Sequence, residues 1–301
     1  MEVKAEQRIG MLLFTVSPEQ FTVKYHINPW MASVLKKHED VDLYKAIHQY
    51  QAFINLLLKV ATVNVIPVKA LDPHAALPDI IYAADAAVFL PNLREPTAVV
   101  ARHSRSHRKP EGRAWTNYFN SLPIRQVHLP EGRGIYFEGS GEAIFNTDFS
   151  RCFCGYGIRT SKRGALALNV AMEQEYRRQG AADKKPMFHM IKLINPNYFH
   201  LDLCFRPLPG HKALIRRNAI SKHSIELIEA IYGLGNLIDV DDDEPFACNG
   251  IIVGRQYLVS SSIGSKTIRA IEATGTKVLT TSLTEFEKGG GSMKCMILPL
   301  H

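Results

Sequence analysis

The stretch that decides the fold class spans residues 41–68 and reads VDLYKAIHQYQAFINLLLKVATVNVIPV. Apolar side chains recur at helical spacing over residues 41–60, and the β-branched residues that follow predict a strand over residues 63–68. The helix face predicted to be buried carries Leu43, Ile47, Phe53, Leu57 and Val60. A helix that leads into a strand is the unit of an α/β or α+β fold.

Outward from this stretch, four more segments predict amphipathic helices that alternate with strands. One helix begins at Pro110, and the others cover residues 161–180, 221–232 and 262–273. The predicted strands cover residues 10–15, 63–68, 86–90, 97–102, 188–193, 213–216, 250–253 and 277–279. Five helix units separated by strands predict similar modules of about 50 to 60 residues. Since no linker divides them, we expect one domain over residues 1–301.

The composition excludes several classes of protein. Of 301 residues 46% are hydrophobic, but there is no run of about 18 apolar residues that could span a membrane. The N-terminus lacks the apolar core of a secretory signal. Five cysteines are few and odd in number, which is typical of a reducing compartment and not of a disulfide framework. These features predict a cytoplasmic protein.

The charged residues favour a small substrate over a nucleic acid or a metal ion. The net charge of +7 is spread along the chain instead of forming a basic stripe with aromatic residues. The basic stretch 103–109 is predicted to be a solvated loop, because its serines and Pro110 disfavour the helix that His103 and His107 would need to hold a metal. The acidic run 239–244 lacks the EF-hand spacing and is predicted to be an exposed loop.

A single cysteine near the C-terminus stands behind three glycines, in the sequence Gly289-Gly290-Gly291-Ser292-Met293-Lys294-Cys295-Met296. Glycines can bring the backbone close to a ligand, and the apolar residues 296–298 predict a buried strand that anchors the segment. A lone cysteine is usually a small buried core residue. The sequence therefore leaves two interpretations of Cys295 open, a core residue or a nucleophile.

Polar residues that a thiol enzyme would need lie in three other segments. His200 and Asp202 are two residues apart, so in a strand both would point to one face, as catalytic groups or as a hydrogen-bonded core pair. Glu138 follows an apolar stretch predicted to be a strand and precedes Gly139-x-Gly141. These glycines are a weak signal for a phosphate-binding loop, because the segment that follows is predicted to be a strand over 143–145 and not a helix. Asp79 and Asp85, six residues apart, would also share a face if extended.

Taken in order, seven motifs resemble the guanidino-group-modifying, or amidinotransferase, superfamily. They are Pro78-Asp79-x-Ile81-Tyr82-x-Ala84-Asp85, Arg108-x-x-Glu111, Phe137-Glu138-Gly139-x-Gly141, Gly155-x-Gly157-x-Arg159-Thr160, Phe199-His200-Leu201-Asp202, Cys248-Asn249 and Gly289-Gly290-Gly291-x-x-x-Cys295. The opening Asn28-Pro29-Trp30 resembles the branch similar to dimethylarginine dimethylaminohydrolase. The resemblance implies a pentein fold, a five-bladed α/β propeller around a central site.

The resemblance also implies roles for these residues. Cys295 would attack the guanidinium carbon, His200 would transfer protons and Glu138 would orient the imidazole. The substrate-binding candidates are Asp85 and Asp202 for the guanidinium, Arg159 and Arg108 for the amino acid carboxylate, and Asp79, Asn249 and Asn28 without a more specific role. No metal or organic cofactor is implied.

Several activities remain open. Asp202 and Asp85 together favour an unsubstituted guanidinium, as in arginine deiminase, whereas the Asn28 segment and the chain length resemble dimethylarginine hydrolases and arginine dihydrolases. A dihydrolase is expected to carry an amide at Asp85, and an amidinotransferase an aspartate at Glu138. A binding module that kept the fold without catalysis is the alternative of another class. Ala84 and Glu142 depart from the family pattern, and a homodimer is one candidate assembly.

Overall fold

The computed structural model describes residues 11–301, which form five sheets of three strands each. The strands are β1 (Leu12–Val16), β2 (Thr62–Ile66), β3 (Ala87–Phe89), β4 (Thr97–Val100), β5 (Arg125–His128), β6 (Ala143–Phe145), β7 (Arg151–Tyr156), β8 (Met187–Lys192), β9 (Phe205–Leu208), β10 (Lys212–Ile215), β11 (Leu237–Asp239), β12 (Ile251–Val253), β13 (Gln256–Ser260), β14 (Lys277–Thr281) and β15 (Leu298–Leu300). The helices are α1 (Pro29–Lys36), α2 (Leu43–Leu57), α3 (Val68–Leu71), α4 (Lys109–Phe119), α5 (Gly139–Glu142), α6 (Lys162–Arg178), α7 (Lys222–Tyr232), α8 (Ser265–Glu272) and α9 (Thr284–Glu287).

All five sheets share one pattern of pairing. The central strand, which is β1, β4, β7, β10 or β13, pairs antiparallel with one neighbour and parallel with the other. Parallel neighbours need a crossover connection, and a helix supplies it in each case: α2, α4, α6, α7 or α8. The repeated modules predicted from the sequence are confirmed.

Both ends of the described chain contribute to one sheet. The last strand, β15, lies beside β1, with Leu12 opposite Leu300 and Phe14 opposite Leu298. The C-terminal segment that carries Cys295 is therefore fixed against the first module.

The five predicted helices are confirmed, and local sequence explains where two of them begin. Ser161 and Ser221 cap α6 and α7 by accepting the backbone N–H groups of Gly164 and Ser224. Such caps stabilise a helix by about 1 kcal/mol. The buried face predicted for α2 is partly wrong, because Leu43 is 37% exposed. The helix instead buries Ala46, Gln49, Tyr50, Phe53, Leu56 and Leu57.

Other predictions need correction. The sequence did not predict α1 or the strands β5, β7, β9, β11 and β13. Residues 296 and 297 are buried but precede β15 and are not part of a strand. The strand predicted to begin at residue 10 starts at Leu12, and residue 10 itself lies outside the described range. Over residues 11–301, every helix is too short or too polar to cross a bilayer.

Candidate active site

The glycine-rich loop before β15 holds Cys295 beside Asn249. A Cβ on Gly291 would lie 2.6 Å from the ring of Tyr82, so this position requires glycine. The side-chain oxygen of Asn249 accepts the backbone N–H groups of Ser292 at 3.2 Å and Cys295 at 3.3 Å, and its amide nitrogen donates to Cys295 Sγ at 3.1 Å. One amide group thus fixes both the loop and the thiol.

The charges around Cys295 keep its thiol protonated. Burial raises the pKa of Cys295 well above its ordinary value, and the carboxylates of Asp202 and Asp85 raise it further, while the hydrogen bond from Asn249 lowers it. The oxygens of Asp202 lie 3.7 and 3.9 Å from the sulfur. Since the thiolate is the nucleophile, a cation must come close to this sulfur before it can react.

His200 and Glu138 form a buried, hydrogen-bonded pair. Nε2 of His200 lies 2.9 Å from Oε2 of Glu138. Burial disfavours the imidazolium, but Asp85 and Glu138 outweigh it and raise the pKa of His200 to about 9. Burial also opposes the Glu138 carboxylate, yet Arg159 and His200 hold its pKa well below its usual range. At neutral pH the pair is therefore an imidazolium and a carboxylate.

Further contacts fix Glu138 and so the imidazole. Ser104 donates its backbone N–H at 3.0 Å and its hydroxyl at 2.8 Å to Oε1 of Glu138, and Arg159 donates to Oε2 at 3.1 Å. Nδ1 of His200 has no hydrogen-bond partner in residues 11–301, and it lies 3.5 Å from Oδ1 of Asp85. Nδ1 is therefore the ring nitrogen available to a ligand.

Two buried carboxylates each have an oxygen without a hydrogen-bond partner in the described part of the chain. Oδ2 of Asp79 accepts the hydroxyl of Tyr25 at 2.8 Å and Oδ2 of Asp85 pairs with Arg108, whereas Oδ1 of both is unpartnered. Buried polar atoms are rarely left without a partner, so these oxygens are open to a donor from outside the chain, either a water molecule or a ligand. Burial raises the pKa of Asp79 and of Asp202. A cation bound beside these carboxyl groups would lower their pKa again and favour the ionised form.

These groups converge on one cavity. Its lining residues are Ile27, Asn28, Met31, Asp79, Tyr82, Asp85, Arg108, Arg159, Phe199, His200, Gly289, Gly290, Gly291 and Cys295. Of the ten site residues predicted from the sequence, Asn249, Asp202 and Glu138 are outside this lining and contact Cys295 or His200 instead.

Arg108 binds the protein through most of its N–H groups. Nη1 pairs with Asp85, Nη2 donates to the carbonyl of Asp79 at 3.1 Å, and Nε and Nη2 form a bidentate pair with Glu111 at 2.8 and 2.6 Å. Four of its five N–H groups thus have partners in residues 11–301. Arg108 therefore anchors Asp85, and its role toward a substrate carboxylate stays a prediction.

Arg159 and Asn28 connect the first module to the site. Nη1 of Arg159 donates to Glu138 and Nη2 to the carbonyl of Ile27 at 3.0 Å, whereas its Nε has no partner in the described chain. Asn28 caps α1 by accepting the N–H of Met31 at 2.9 Å, and it donates to the carbonyl of Gly289 at 2.9 Å. Asn28 therefore ties α1 to the loop of Cys295.

The local structures predicted around these residues are partly wrong. Asp202 lies in a 3₁₀ turn, Leu201–Leu203, and not in a strand with His200. The residues before Glu138 form only an isolated bridge, Arg102 to Phe137, and the helical turn α5 follows before β6. Asp79 and Asp85 also lie in 3₁₀ turns, Pro78–Ile81 and Ala83–Ala86.

The stretch 103–109 is only partly the solvated loop that its charges predicted, because residues 105–107 and 109 are exposed but two others are buried. His103 and Arg108 are buried, and Ser106–Arg108 form a 3₁₀ turn that leads into α4. Burial, with Arg108 close by, lowers the pKa of His103 to about 4, so the ring is neutral. Glu111, the last residue of the Arg108-x-x-Glu111 motif, pairs with Arg108 and so permits the burial of the Arg108 guanidinium.

Four residues around the site were missed or left without a role. The hydroxyl of Tyr25 donates to Asp79, and that of Ser104 donates to Glu138. Of the two, only Tyr25 lies in a segment that carries a family resemblance, the one around Asn28. Glu142 accepts the N–H groups of Thr160 and Leu201, and burial raises its pKa to about 7. Nζ of Lys294 donates to the carbonyl and hydroxyl of Ser140 at 3.2 and 3.0 Å.

The acidic run 239–244 is exposed only in part. Asp241, Asp243 and Glu244 bring three carboxylate oxygens within 4.8 Å of one another, and the first two residues are exposed. Glu244 is buried and accepts the hydroxyl of Thr267 at 3.0 Å. Exposed acidic groups are common without a metal, so the absence of a metal site stays a prediction.

Comparison with known proteins matches residues 17–301 to the family described as N,N dimethylarginine dimethylhydrolase, eukaryotic. An uncharacterized protein of Caenorhabditis elegans, ZK1307.1, is 28% identical over 300 residues, which cover 99% of this chain and 96% of that protein. The N(G),N(G)-dimethylarginine dimethylaminohydrolase of Mycobacterium tuberculosis is 26% identical over 94% of this chain and 84% of its own length.

A solved structure has the same mixed α/β fold. The N-terminal domain of ArgZ, an arginine dihydrolase from cyanobacteria, superimposes with a TM-score of 0.83 at 25% identity, covering 97% of this chain and 98% of that domain. The chain spans only 36% of the two bifunctional cyanobacterial proteins, AgrE and ArgZ. The chain therefore belongs to the eukaryotic N,N-dimethylarginine dimethylhydrolase family within the guanidino-modifying superfamily, and it is a hydrolase of guanidino C–N bonds.

Proposed function

We propose that this protein hydrolyses a guanidinium C–N bond of arginine or a close derivative, with Cys295 as nucleophile, His200 as proton-transfer residue and Glu138 as its orienting acid. The observation that carries the proposal is the pair of unpartnered carboxylate oxygens, Oδ1 of Asp79 and of Asp85, in the cavity that Cys295 and His200 line. A planar guanidinium supplies several N–H donors and a positive charge at once.

The reaction begins when the bound substrate cation lowers the pKa of Cys295, and the thiol releases its proton to water because His200 is already protonated. The sulfur attacks the guanidinium carbon, and the tetrahedral species breaks its C–N bond, with the electron pair passing to the leaving nitrogen. The imidazolium of His200 donates a proton to that nitrogen through Nδ1, because Nε2 is held by Glu138. The departing amine leaves a thiouronium on the sulfur.

A water molecule completes the turnover. Neutral His200 takes a proton from the water through Nδ1, and the oxygen attacks the thiouronium carbon. The C–S bond then breaks, with its electron pair returning to sulfur. The hydroxyl proton of the tetrahedral species passes to that sulfur, which restores the thiol and releases a neutral ureido group. Since Glu138 is ionised throughout, it stabilises the imidazolium each time the ring takes up a proton.

Asp85 and Asp202 favour an unsubstituted guanidinium over a dimethylated one. Asp85 presents an unpartnered oxygen to the cavity, and Asp202, which lies against the sulfur outside the cavity lining, is the second acceptor assigned here to the guanidinium. A dimethylated nitrogen cannot donate a hydrogen bond. Hydrolysis of dimethylarginine is the second candidate, and the family match favours it.

Arg159 is the better candidate for the substrate carboxylate. Its Nε has no partner in the described residues, and its guanidinium carbon lies 4.6 Å from the ring centroid of Phe199 at the cavity wall. Arg108 acts in this proposal by holding Asp85.

We infer further that residues 1–301 form one domain, a five-bladed pentein propeller around this site. The common pattern of the five sheets and the pairing of β15 with β1 support this inference. Five free, buried cysteines support a cytoplasmic location. The homodimer stays a prediction.

A substrate panel tests the proposal. The protein is incubated with arginine, monomethylarginine, asymmetric dimethylarginine and agmatine, and ammonia, alkylamine and ureido product are measured separately. We expect one equivalent of amine per ureido group, with arginine preferred over dimethylarginine, and no turnover by Cys295→Ala. Two equivalents of ammonia per arginine would identify a dihydrolase, and no product from any of the four would refute the proposal.

A further inference from the structure

A second cavity, of about 300 Å³, adjoins the active site through the backbone between Lys294 and Cys295. Lys294 lines this second cavity whereas Cys295 lines the active site, and none of the described residues lines both. Its walls include the apolar side chains of Leu13, Val88, Phe89, Ile144, Ile251 and Pro299. Cavities of this size and character are typical of small-molecule sites.

Two buried cations line the second cavity. Lys294 is 4% exposed and Arg206 is 7% exposed. Within residues 11–301, Nζ of Lys294 bonds only to neutral oxygens of Ser140. Nε of Arg206 donates to the carbonyl of Cys248 at 3.3 Å, and its Nη2 has no partner in the described chain. Burying a guanidinium without a carboxylate partner costs free energy of folding. The described residues around this cavity thus leave the positive charge of Arg206 without a paired negative charge.

The local charges set the charge of the missing partner. No acidic side chain of the described residues lines the second cavity. Asp202, on the side of Cys295, is the carboxylate that acts most strongly on Lys294. The walls of the second cavity thus carry two cationic side chains and no acidic side chain among the described residues, which favours an anionic ligand.

We propose that the second cavity binds a small monocarboxylate with an apolar body, whose carboxylate is held by Arg206 and Lys294. The free Nη2 of Arg206 and the ammonium group of Lys294 supply charge-assisted donors, and the apolar walls receive the remainder of the ligand. Burial lowers the pKa of Lys294 to about 8, and an adjacent anion would restore its full charge.

Calorimetric titration of the full chain with phenylacetate and with its neutral analogue phenylacetamide tests the proposal. We expect phenylacetate to bind at one site per chain, at least about tenfold more tightly than the amide, because the amide lacks the charge. Phenylacetate should bind equally well to Cys295→Ala and in saturating arginine. Failure of arginine turnover with this binding intact would refute only the proposed function.

Two variants locate the ligand. Arg206→Gln removes the buried charge, and Thr147→Trp narrows the cavity from an exposed rim position without touching the core. Each should weaken phenylacetate binding about tenfold or more. Equal affinity for acid and amide, displacement by arginine, or full binding by both variants would overturn the proposal. Tenfold tighter phenylacetate binding by a chain that lacks residues 1–10 would also overturn the proposal, because it would mean that this segment competes with the ligand for the cavity.

Discussion

Nε2 of His200 lies 2.9 Å from Oε2 of Glu138, which leaves Nδ1 as the ring nitrogen that can serve a ligand in the cavity. The pairing holds the ring in one orientation, and Asp85 together with Glu138 raises the pKa of His200 to about 9. A charged N–H group is therefore held at the cavity before any ligand binds.

Glu138→Gln should lower kcat by about 100-fold or more, because the amide no longer stabilises the imidazolium. The pKa of His200 should fall, and NMR titration of the ring measures this directly. Ser104→Ala is the matched control, since it removes one hydroxyl bond to Glu138 and leaves the carboxylate, so we expect less than a tenfold effect. Equal losses in the two variants, or an unchanged His200 titration in Glu138→Gln, would contradict the assignment.

Stability should depend on pH through His200. Its pKa is raised from the ordinary 6.5 to about 9, so the folded state holds a proton that the unfolded state releases over this range. The contribution is fully present below pH 6.5 and is lost as pH rises through 9. Between these values, wild type should lose on the order of 3 kcal/mol relative to His200→Gln. Urea unfolding of both proteins at several pH values measures the difference, and parallel curves would refute it.

Asn249 should control the reactivity of Cys295. Asn249→Ala removes the donor to Sγ and the acceptor of two loop N–H groups, so iodoacetamide should alkylate Cys295 more slowly at pH 8. Asn249→Asp keeps the acceptor but places a negative charge beside the sulfur, which raises the pKa of the thiol further. We expect Asn249→Asp to be the less reactive of the two at similar stability. Alkylation at the wild-type rate in both would show that Asn249 has only a packing role.

Gly290 should be intolerant of a side chain. Its φ is +88°, and an added Cβ would lie 2.9 Å from the Asn28 amide. Gly180 has a φ of +66° with nothing near its Cβ position, so Gly180→Ala is a matched control for backbone strain alone. Strain should cost each variant about 1–2 kcal/mol. Gly290→Ala should lose at least about 1 kcal/mol more and most of its kcat, and equal effects at both sites would be the contrary result.

The helices could be predicted from the sequence because their signals are local. Ser161 and Ser221 cap periodic apolar segments, and these helices begin where predicted. Short strands carry weaker signals: β5, Arg125–His128, has charged residues at both ends and only one aliphatic side chain. The exposure of Leu43 depends on which elements pack on α2, and periodicity alone does not show this.

The site was predicted by resemblance and not by local pattern. Cys295, His200 and Glu138 are far apart in sequence, and the 3₁₀ turn that aims Asp202 at the sulfur has no distinctive composition. The burial of Arg108 could not be predicted from a basic stretch, because its partners, Asp85 and Glu111, come from two other elements. Ser104 donates to Glu138 across 34 residues of sequence, so local sequence does not reveal this contact.

Mass spectrometry of the protein quenched during turnover tests the central claim most directly. Arginine that loses ammonia and asymmetric dimethylarginine that loses dimethylamine leave the same thiouronium on sulfur, so the readout does not depend on which substrate is preferred. We predict one adduct per chain, on the peptide that contains Cys295, with the mass of arginine minus ammonia, and none in Cys295→Ser. Steady product formation with Cys295 unmodified throughout, or full turnover by Cys295→Ser, would contradict the account.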